Sequence, residues 1–503
     1  MQYLLTADQM KQVDIHTSEY FLLSSPVLME RAALAVCEEI EQRFSSKSRV
    51  CIVCGNGNNG GDGYALGRIL LERGYQVDLF RAKNSSHCSE GNQLQTAILS
   101  RLQIPVRTDF PQNEYDIIVD AILGTGFHKK EKPDIYDEWI QYLNQMNGYK
   151  IAIDISSGLD SDHGAVFYEA FLADLTVTFA FLKRGHLLHE GKKYSGTVVC
   201  KNIGISQKGF GEHYPEAYTF EKSDVAKLLP KRDVDGHKGT FQKAGIIAGN
   251  KQIGGCAVLA AKACMRMGVG YTKVVTDDAN KDAVLFHLPE ALIYSNSSDY
   301  MNALSDCSCI AVGPGIGTNQ GAHELLATIL QSASCKLVID ADAINLIAGS
   351  NELKGMLKDY AKHNDVIMTP HKKEFERFVG SSLPIDYVDL HQVERDVAKE
   401  YGIYLVCKDS ATRVYTPDEK LYINSSGNHG MGTAGSGDVL TGMLAGLLAQ
   451  KIPTQTAAAL GVFIHGLCGD YVKDKSNAYS LNASDLIEAL KYVLQGDYEN
   501  EQL

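Results

Sequence analysis

The sequence predicts a mixed α/β protein made of two doubly wound α/β/α domains in tandem. Three observations carry that expectation. The chain has 503 residues, about three to four times the roughly 100–200 of one domain, so it must close at least two hydrophobic cores. Short apolar runs closed by glycine alternate with stretches whose apolar residues recur at helical spacing, which is the signature of parallel βαβ units. That alternation stops once, in the polar stretch 206–236, and then begins again. The boundary is expected near 215–225, giving one domain over 1–215 and a second over 225–503.

In the first half, Val50–Cys54 is an apolar run ended by glycines and reads as a buried strand. A helix over Tyr64–Arg73 follows, with Leu66, Ile69 and Leu70 on one face and Gly74 as its stop. Further strands are predicted at Gln76–Phe80, Asp116–Leu123, Tyr149–Asp154 and Asp174–Phe181. The second half restarts with a strand at Ala244–Ala248 and an alanine-rich helix at Gly255–Met267. Strands are then predicted at Tyr271–Val275, Cys309–Val312, Leu337–Asp340, Val366–Thr369 and Ile403–Lys408. Long helices at Val439–Gln450 and Thr456–Val472 close the chain.

Composition bounds the function. Apolar residues make up 45% and charged residues 22%, as in a globular enzyme. Lys+Arg 48 against Asp+Glu 61 leaves a net charge of -13, which argues against nucleic-acid binding through basic patches. Small phosphate-bearing ligands stay open, because backbone N–H groups can hold them. No run approaches a membrane span, and MQYLLTADQMKQVD lacks a basic region followed by an apolar one, so a cytoplasmic protein is expected. The 12 cysteines are scattered. Cys51/Cys54 and Cys307/Cys309 have no nearby partners at zinc spacing and are read as reduced strand residues.

Two glycine-rich segments carry chemistry. Gly55-Asn56-Gly57-Asn58-Asn59-Gly60-Gly61-Asp62-Gly63 joins a strand to a helix, where glycines admit a phosphate and the helix dipole favours an anion. Two more strand ends carry acids: Asp120 before Gly124-Thr125-Gly126, and Asp154 before Ser156-Ser157-Gly158. In a doubly wound sheet such ends meet at one crevice. Asn59, Asp120 and Ser157 could then share a monovalent cation through hard oxygens, leaving Asp154 as a base or a substrate anchor. The second segment, Gly430-Met431-Gly432-Thr433-Ala434-Gly435-Ser436-Gly437-Asp438, opens a helix and leaves bare N–H groups as an anion hole. Asp438 stands where it could take a proton from a hydroxyl attacking a phosphate. Lys408-Asp409-Ser410-Ala411-Thr412, Gly313-Pro314-Gly315 and Thr369-Pro370-His371 end three other strands.

GNGNNGGDGY, VDAILGTG and DISSGLD, with the opening LLTADQM, resemble the NAD(P)H-hydrate epimerase domain over about residues 1–215. The resemblance implies a Rossmann-like fold and a potassium ion held by Asn59, Asp120 and Ser157. It implies substrate contacts from Asn58, Asn59, Gly60, Gly61, Asp62, Gly124, Thr125, Gly126, Phe127, His128, Lys129, Lys130 and Asp154, with Asp154 catalytic. One departure is Ser156, where that family usually has proline. Lys183 matches a family lysine and reads either as an aid to proton transfer or as a solvated side chain. The G-S-G-D loop resembles the ribokinase-like superfamily. HKGTF, GPGIG, DADAINLIA, TPHKKEFERF and GSGDVLTGMLAGLLAQ resemble its ADP-dependent NAD(P)H-hydrate dehydratases over about 225–495. The implied hydrate contacts are Ala257, Gly315, His371 and Asp438, with Asp438 catalytic. The implied nucleotide contacts are Lys408, Asp409, Ser410, Ala411, Thr412 and Gly437, with Mg2+ and ADP. Asp409 departs from a family glycine and adds negative charge near the phosphates.

Together the two resemblances imply a repair enzyme. The first half would interconvert the R and S hydrates of NADH and NADPH, and the second would dehydrate the S form with ADP. A homo-oligomer is expected. A small-molecule kinase would explain the second half alone. An NAD-dependent oxidoreductase would use G-x-G-x-x-G with Asp78 on the ribose. A non-catalytic nucleotide binder would leave Asp154 and Asp438 without purpose.

Overall fold

The computed structural model describes residues 1–83, 87–127, 132–232, 234–296 and 299–495. His128, Lys129 and Lys130 therefore lie outside the described residues. The chain forms two compact units, Gln2–Ala217 and Tyr218–Leu503.

The first unit holds a seven-stranded sheet in the order Val106–Arg107, Gln76–Arg81, Arg49–Cys54, Ile117–Ala121, Tyr149–Ile153, Leu175–Phe179, Thr197–Lys201. Every pairing is parallel. Successive side chains point to opposite faces. Val50, Ile52 and Cys54 therefore join one core with Ile40, Ile69 and Leu99, while Cys51 and Val53 join another with Trp139, Ile140 and Leu143. Both faces are covered by helices, so the strands are apolar almost throughout. Ile117–Ala121 is wholly buried with Asp120 as its one charge. The order reverses between Arg49–Cys54 and Ile117–Ala121, and the crevice above that reversal is where such folds bind ligands.

The second unit repeats the plan. Leu292–Ser295, Tyr271–Thr276, Lys243–Ile247, Cys309–Val312, Lys336–Ile339, Val366–Met368 and Tyr404–Cys407 lie side by side in parallel. Arg413–Tyr415 and Leu421–Ile423 continue the sheet antiparallel. Helices Gly255–Arg266 and Ser436–Ala449 pack on it; the latter buries nearly every residue, as its Leu, Ala and Gly content requires.

Several boundaries differ from expectation. The first glycine-rich segment is mostly helix: Asn58–Glu72 begins six residues before Tyr64, so the motif's polar side chains ride on its first turn. The strand predicted through Leu123 stops at Ala121, freeing 122–127 as a loop. Val106–Arg107, Thr197–Lys201, Leu292–Ser295 and the antiparallel pair were not anticipated, being short or partly exposed runs without a clear period. The polar stretch 206–236 contains a strand, Ala217–Thr219, and a helix, Lys222–Leu228. Cys51, Cys54, Cys307 and Cys309 are buried with their thiols pushed up by burial, as structural cysteines. Among the described residues no helix is long and apolar enough to cross a membrane.

One buried ion pair supports the strand next to Lys408. Arg413 donates through Nε and Nη2 to Glu394 at 2.9 and 2.7 Å, with both side chains buried. Removing one partner strands the other charge, which costs about 3–5 kcal/mol. Glu394→Ala should lower the urea midpoint of the second unit accordingly, whereas Glu394→Leu with Arg413→Met should recover most of the loss.

Candidate active sites

In the first unit the glycines are demanded by close approach. A Cβ on Gly55 would sit 1.9 Å from the Ile122 carbonyl oxygen, and one on Gly60 2.1 Å from that of Gly55. Asn92, fully buried, donates through Nδ2 to the carbonyls of Gly55 (2.9 Å) and Gly57 (3.2 Å) and fixes the turn. The helix that follows opens onto a cavity of about 860 Å³. Asn58, Asn59, Asp62, Gly124, Thr125, Gly126, Phe127 and Asp154 line it. Gly60 and Gly61 do not; they are buried, and a Cβ on them would meet the Gly55 carbonyl and the Met29 side chain.

Asn59, Asp120 and Ser157 come together. Ser157 donates through Oγ to Asp120 Oδ1 (2.6 Å) and through its backbone N–H to Oδ2 (2.8 Å), while Ile122 N–H adds a bond at 3.1 Å. Leu123 N–H donates to Ser157 Oγ at 2.7 Å. Asn59 Nδ2 donates to the Leu123 carbonyl at 2.8 Å, which leaves Asn59 Oδ1 buried without a partner. Burial pushes Asp120 up to about 6 against those hydrogen bonds. An orphaned amide oxygen, a backbone carbonyl and one carboxylate suit a weakly held monovalent cation. Ser156 replaces the missing proline constraint with a hydrogen bond from Oγ to the Tyr194 carbonyl at 2.8 Å.

Asp154 follows the next strand with φ of +67, a strained backbone of the kind found at functional sites. Its carboxylate accepts from Thr178 Oγ1 at 3.0 Å and from Lys183 Nζ. Lys183 is only 1% exposed and also reaches Thr178 at 2.8 Å, so the reading of a solvated lysine is excluded. Burial would raise Asp154, but Lys183 outweighs it and holds the carboxyl below its usual range. His186 is pushed down to about 4 by burial and Lys183, hence neutral. It accepts the Lys183 N–H on Nδ1 (3.1 Å) and turns Nε2 to the Asp154 carbonyl at 3.0 Å. Asp62 is shifted the other way, well above its ordinary value, by burial and by Asp154 and Asp14.

In the second unit Asp438 occupies the first turn of Ser436–Ala449, and Gly435 before it has φ of +86. Asp340, 2% exposed at a strand end, accepts from Lys408 Nζ (2.8 Å) and Thr441 Oγ1 (2.7 Å). This pair lies under Gly437: a Cβ there would be 3.7 Å from Lys408 Nζ and 3.9 Å from Asp340 Oδ2. Asp340 is held low by Lys408, whereas burial and the Asp340 charge push Asp438 up to about 6. Gly315, with φ of +63, packs on Cys256 beside Ala257. Ala257 is fully buried.

His371 caps the helix Lys372–Val379: its Nδ1 accepts from the N–H groups of Lys373 (3.1 Å) and Glu374 (3.3 Å). Its Nε2 lies 3.3 Å from Glu374 and the ring is half-exposed. Asp409 bends away to Arg413 (3.4 Å) and caps Ser410 N–H (2.7 Å), so its added charge is partly neutralised by protein. Ala411 is buried, and Thr412 closes the turn on the Asp409 carbonyl at 3.2 Å. Asp340, Thr441 and Glu374 were missed. Asp340 had the same signal as Asp120 and Asp154, an acid ending an apolar strand.

Residues 25–185 match the family described as YjeF-related protein N-terminus, and residues 244–492 match NAD(P)H-hydrate dehydratase. The bifunctional NAD(P)H-hydrate repair enzyme Nnr of Moorella thermoacetica is 32% identical, covering 98% of this chain and 97% of that protein. The protein of the same name from Coxiella burnetii is 32% identical over 94% of this chain and 95% of its own length. A ribokinase-like superfamily protein from Enterococcus faecalis, of known structure, is 29% identical with a TM-score of 0.51, covering 56% of this chain and 96% of its own. With an acidic cluster at a glycine-rich helix start in each unit and relatives similar from end to end, the chain belongs to the family of bifunctional NAD(P)H-hydrate repair enzymes.

Proposed function

We propose that the first unit interconverts (R)- and (S)-NAD(P)H hydrate and that the second dehydrates the S form, consuming ADP and releasing AMP and phosphate. One observation carries the reading: each unit sets a partly buried, strand-end Asp–Lys pair beside a second carboxyl, at a glycine-lined helix start. The proposed domains run over 1–215 and 225–503.

In the second site the N–H groups at the start of Ser436–Ala449 stabilise the transferring phosphoryl group, and Lys408 and Gly437 face the nucleotide with the turn Asp409–Thr412. Asp438 takes the proton of the C6 hydroxyl as that oxygen attacks phosphorus. AMP leaves as that bond forms; the C6–O bond then breaks with phosphate departing far more readily than hydroxide would, and loss of a C5 proton to solvent restores the C5–C6 double bond. Gly315, His371 and the helix bearing Ala257 would hold the hydrate. Mg2+ would accompany the phosphates. A kinase reading leaves the first unit unexplained.

In the first site Asp154 is the base, kept ionised by Lys183. Asn58, Asp62 and the Gly124–Phe127 loop would hold the nucleotide. Asn59 Oδ1, the Leu123 carbonyl, Asp120 and Ser157 would hold potassium, which supplies positive charge beneath the loop.

Three outcomes test this. Asp154→Asn incubated with mixed hydrate and ADP should recover the S fraction and then stall. Adding full-length Asp438→Ala, itself inactive in dehydration by about 10²–10⁴-fold, should restart recovery; failure of this complementation would mean the activities are not divided between the sites. Secondly, Asp438 must be deprotonated to act, so dehydratase kcat/KM should rise with pH through about 6 and then level off. Asp340→Asn removes the like charge that raises Asp438 and frees Lys408 to lower it, so the limb should move to lower pH. Thirdly, epimerisation in sodium buffer should recover on adding potassium, and Asp120→Ala should abolish that response without affecting dehydration.

A further inference from the structure

The cavity of the first unit contains a carboxyl with no task in the account above. Asp14 lies on helix Ala7–Glu19, outside the matched residues 25–185. Its helix turns Met10, Asp14 and Ser18 to the cavity, one turn apart, and Asp154, Asp62 and Lys183 line the same space. An aspartate in a helix interior with apolar Met10, Leu28, Met29 and Ala32 around the cavity is unfavourable twice over, by propensity and by burial. Only the charge of Lys183 offsets this: among the described residues the Asp14 carboxyl forms no hydrogen bond. Asp154, by contrast, accepts from both Lys183 and Thr178 on Oδ1.

We propose that Asp14 is the second catalytic proton carrier of the first site, an acid that works on the C6 hydroxyl while Asp154 acts as base. The inference rests on the epimerase reading. Asp14 gives its proton to the hydroxyl oxygen, and the C6–O bond breaks with its electron pair leaving on water. The ring N1 lone pair closes a C6=N1 bond. Water then adds to the other face of C6, the π pair returns to N1, and the surplus proton passes to the Asp154 carboxylate. One proton enters and one leaves, with no oxidant or reductant. A carboxylate held as low as Asp154 suffices, because the protonated hydroxyl it deprotonates is a strong acid. Proton return between the two carboxyls through water resets the site, and reversal interconverts the epimers the other way.

The electrostatics agree. Burial pushes Asp14 up to about 6, opposed by Lys183 and assisted by Asp154. Asp438 stands in the same relation to Asp340 and Lys408 in the second unit. The charged groups facing Asp14 are Asp62 on the glycine-loop helix, Asp154 and Lys183, with Glu19 and Glu90 also at the cavity.

The test uses the full chain without nucleotide, starting from each purified epimer. Asp14→Asn should slow interconversion in both directions by about 10²–10⁴-fold in kcat. Exchange of the C6 oxygen with 18O-labelled water should slow in parallel, while dehydration of the S form, measured separately with ADP, stays at the wild-type rate. Wild-type interconversion should fall as pH rises through about 6, where the acid is lost, and Asp14→Asn should lack that fall. Near-wild-type interconversion by Asp14→Asn, or a change confined to KM, overturns the proposal. If Asp14→Asn does not fold, Asp14→Glu decides: it must retain interconversion with a displaced pH limb, and an unmoved limb overturns the assignment. A wild-type chain that cannot interconvert epimers would sink the epimerase reading itself, whereas an active wild type beside an equally active Asp14→Asn sinks only the role of Asp14.

Discussion

A strand-end aspartate paired with a lysine recurs in both units and fixes the charge around it. Taking a carboxylate out of water is expensive, and a lysine at hydrogen-bond distance plus a threonine hydroxyl is what makes it tolerable. Asp154 has Lys183 and Thr178; Asp340 has Lys408 and Thr441. Once that charge is fixed, the next carboxyl of each site has no lysine of its own. Burial and the like charge keep it near neutrality, as with Asp14 and Asp438, both raised to about 6. Each unit thus sets a lysine-paired carboxylate near one raised to about 6, the kind of separation that acid–base chemistry needs.

Topology delivers those groups. The first sheet and the seven-strand run Leu292–Ser295 to Tyr404–Cys407 of the second are parallel and reverse strand order once, so the C-terminal ends on either side of each reversal open on one edge. The same strands are buried on both faces, which leaves their ends as the place where polar side chains can reach solvent. The close approaches of Gly55 to Ile122 and of Gly60 to Gly55 bring the helix start down onto that edge. Asn92 completes the turn from a helix far along the chain.

The parts of this arrangement that depend on local order were legible in the sequence. Glycines after apolar runs marked the helix starts, and acids at strand ends marked Asp120, Asp154 and, unrecognised, Asp340. What depends on three-dimensional partners was not legible. Lys183 could be read as solvated because the sequence does not tell that its amine is buried against Asp154. Asp14 sat in a helix whose polar residues gave no reason to single it out. His371 was read as a ligand contact; its placement after a strand end also makes it a helix cap, and the structure gives its Nδ1 that task. Asp409 could be expected to repel phosphate until its bond to Arg413 was visible.

The account stands on two sites in one chain acting on opposite epimers of one substrate. The most direct measurement follows the absorbance of reduced nicotinamide while the wild-type chain acts on mixed R and S hydrate with ADP, run to completion, with AMP and phosphate counted at the end. The account predicts recovery of the whole mixture, one AMP and one phosphate for each reduced nicotinamide formed. Recovery that stops at the S fraction, or nicotinamide restored without matching AMP and phosphate, would contradict it.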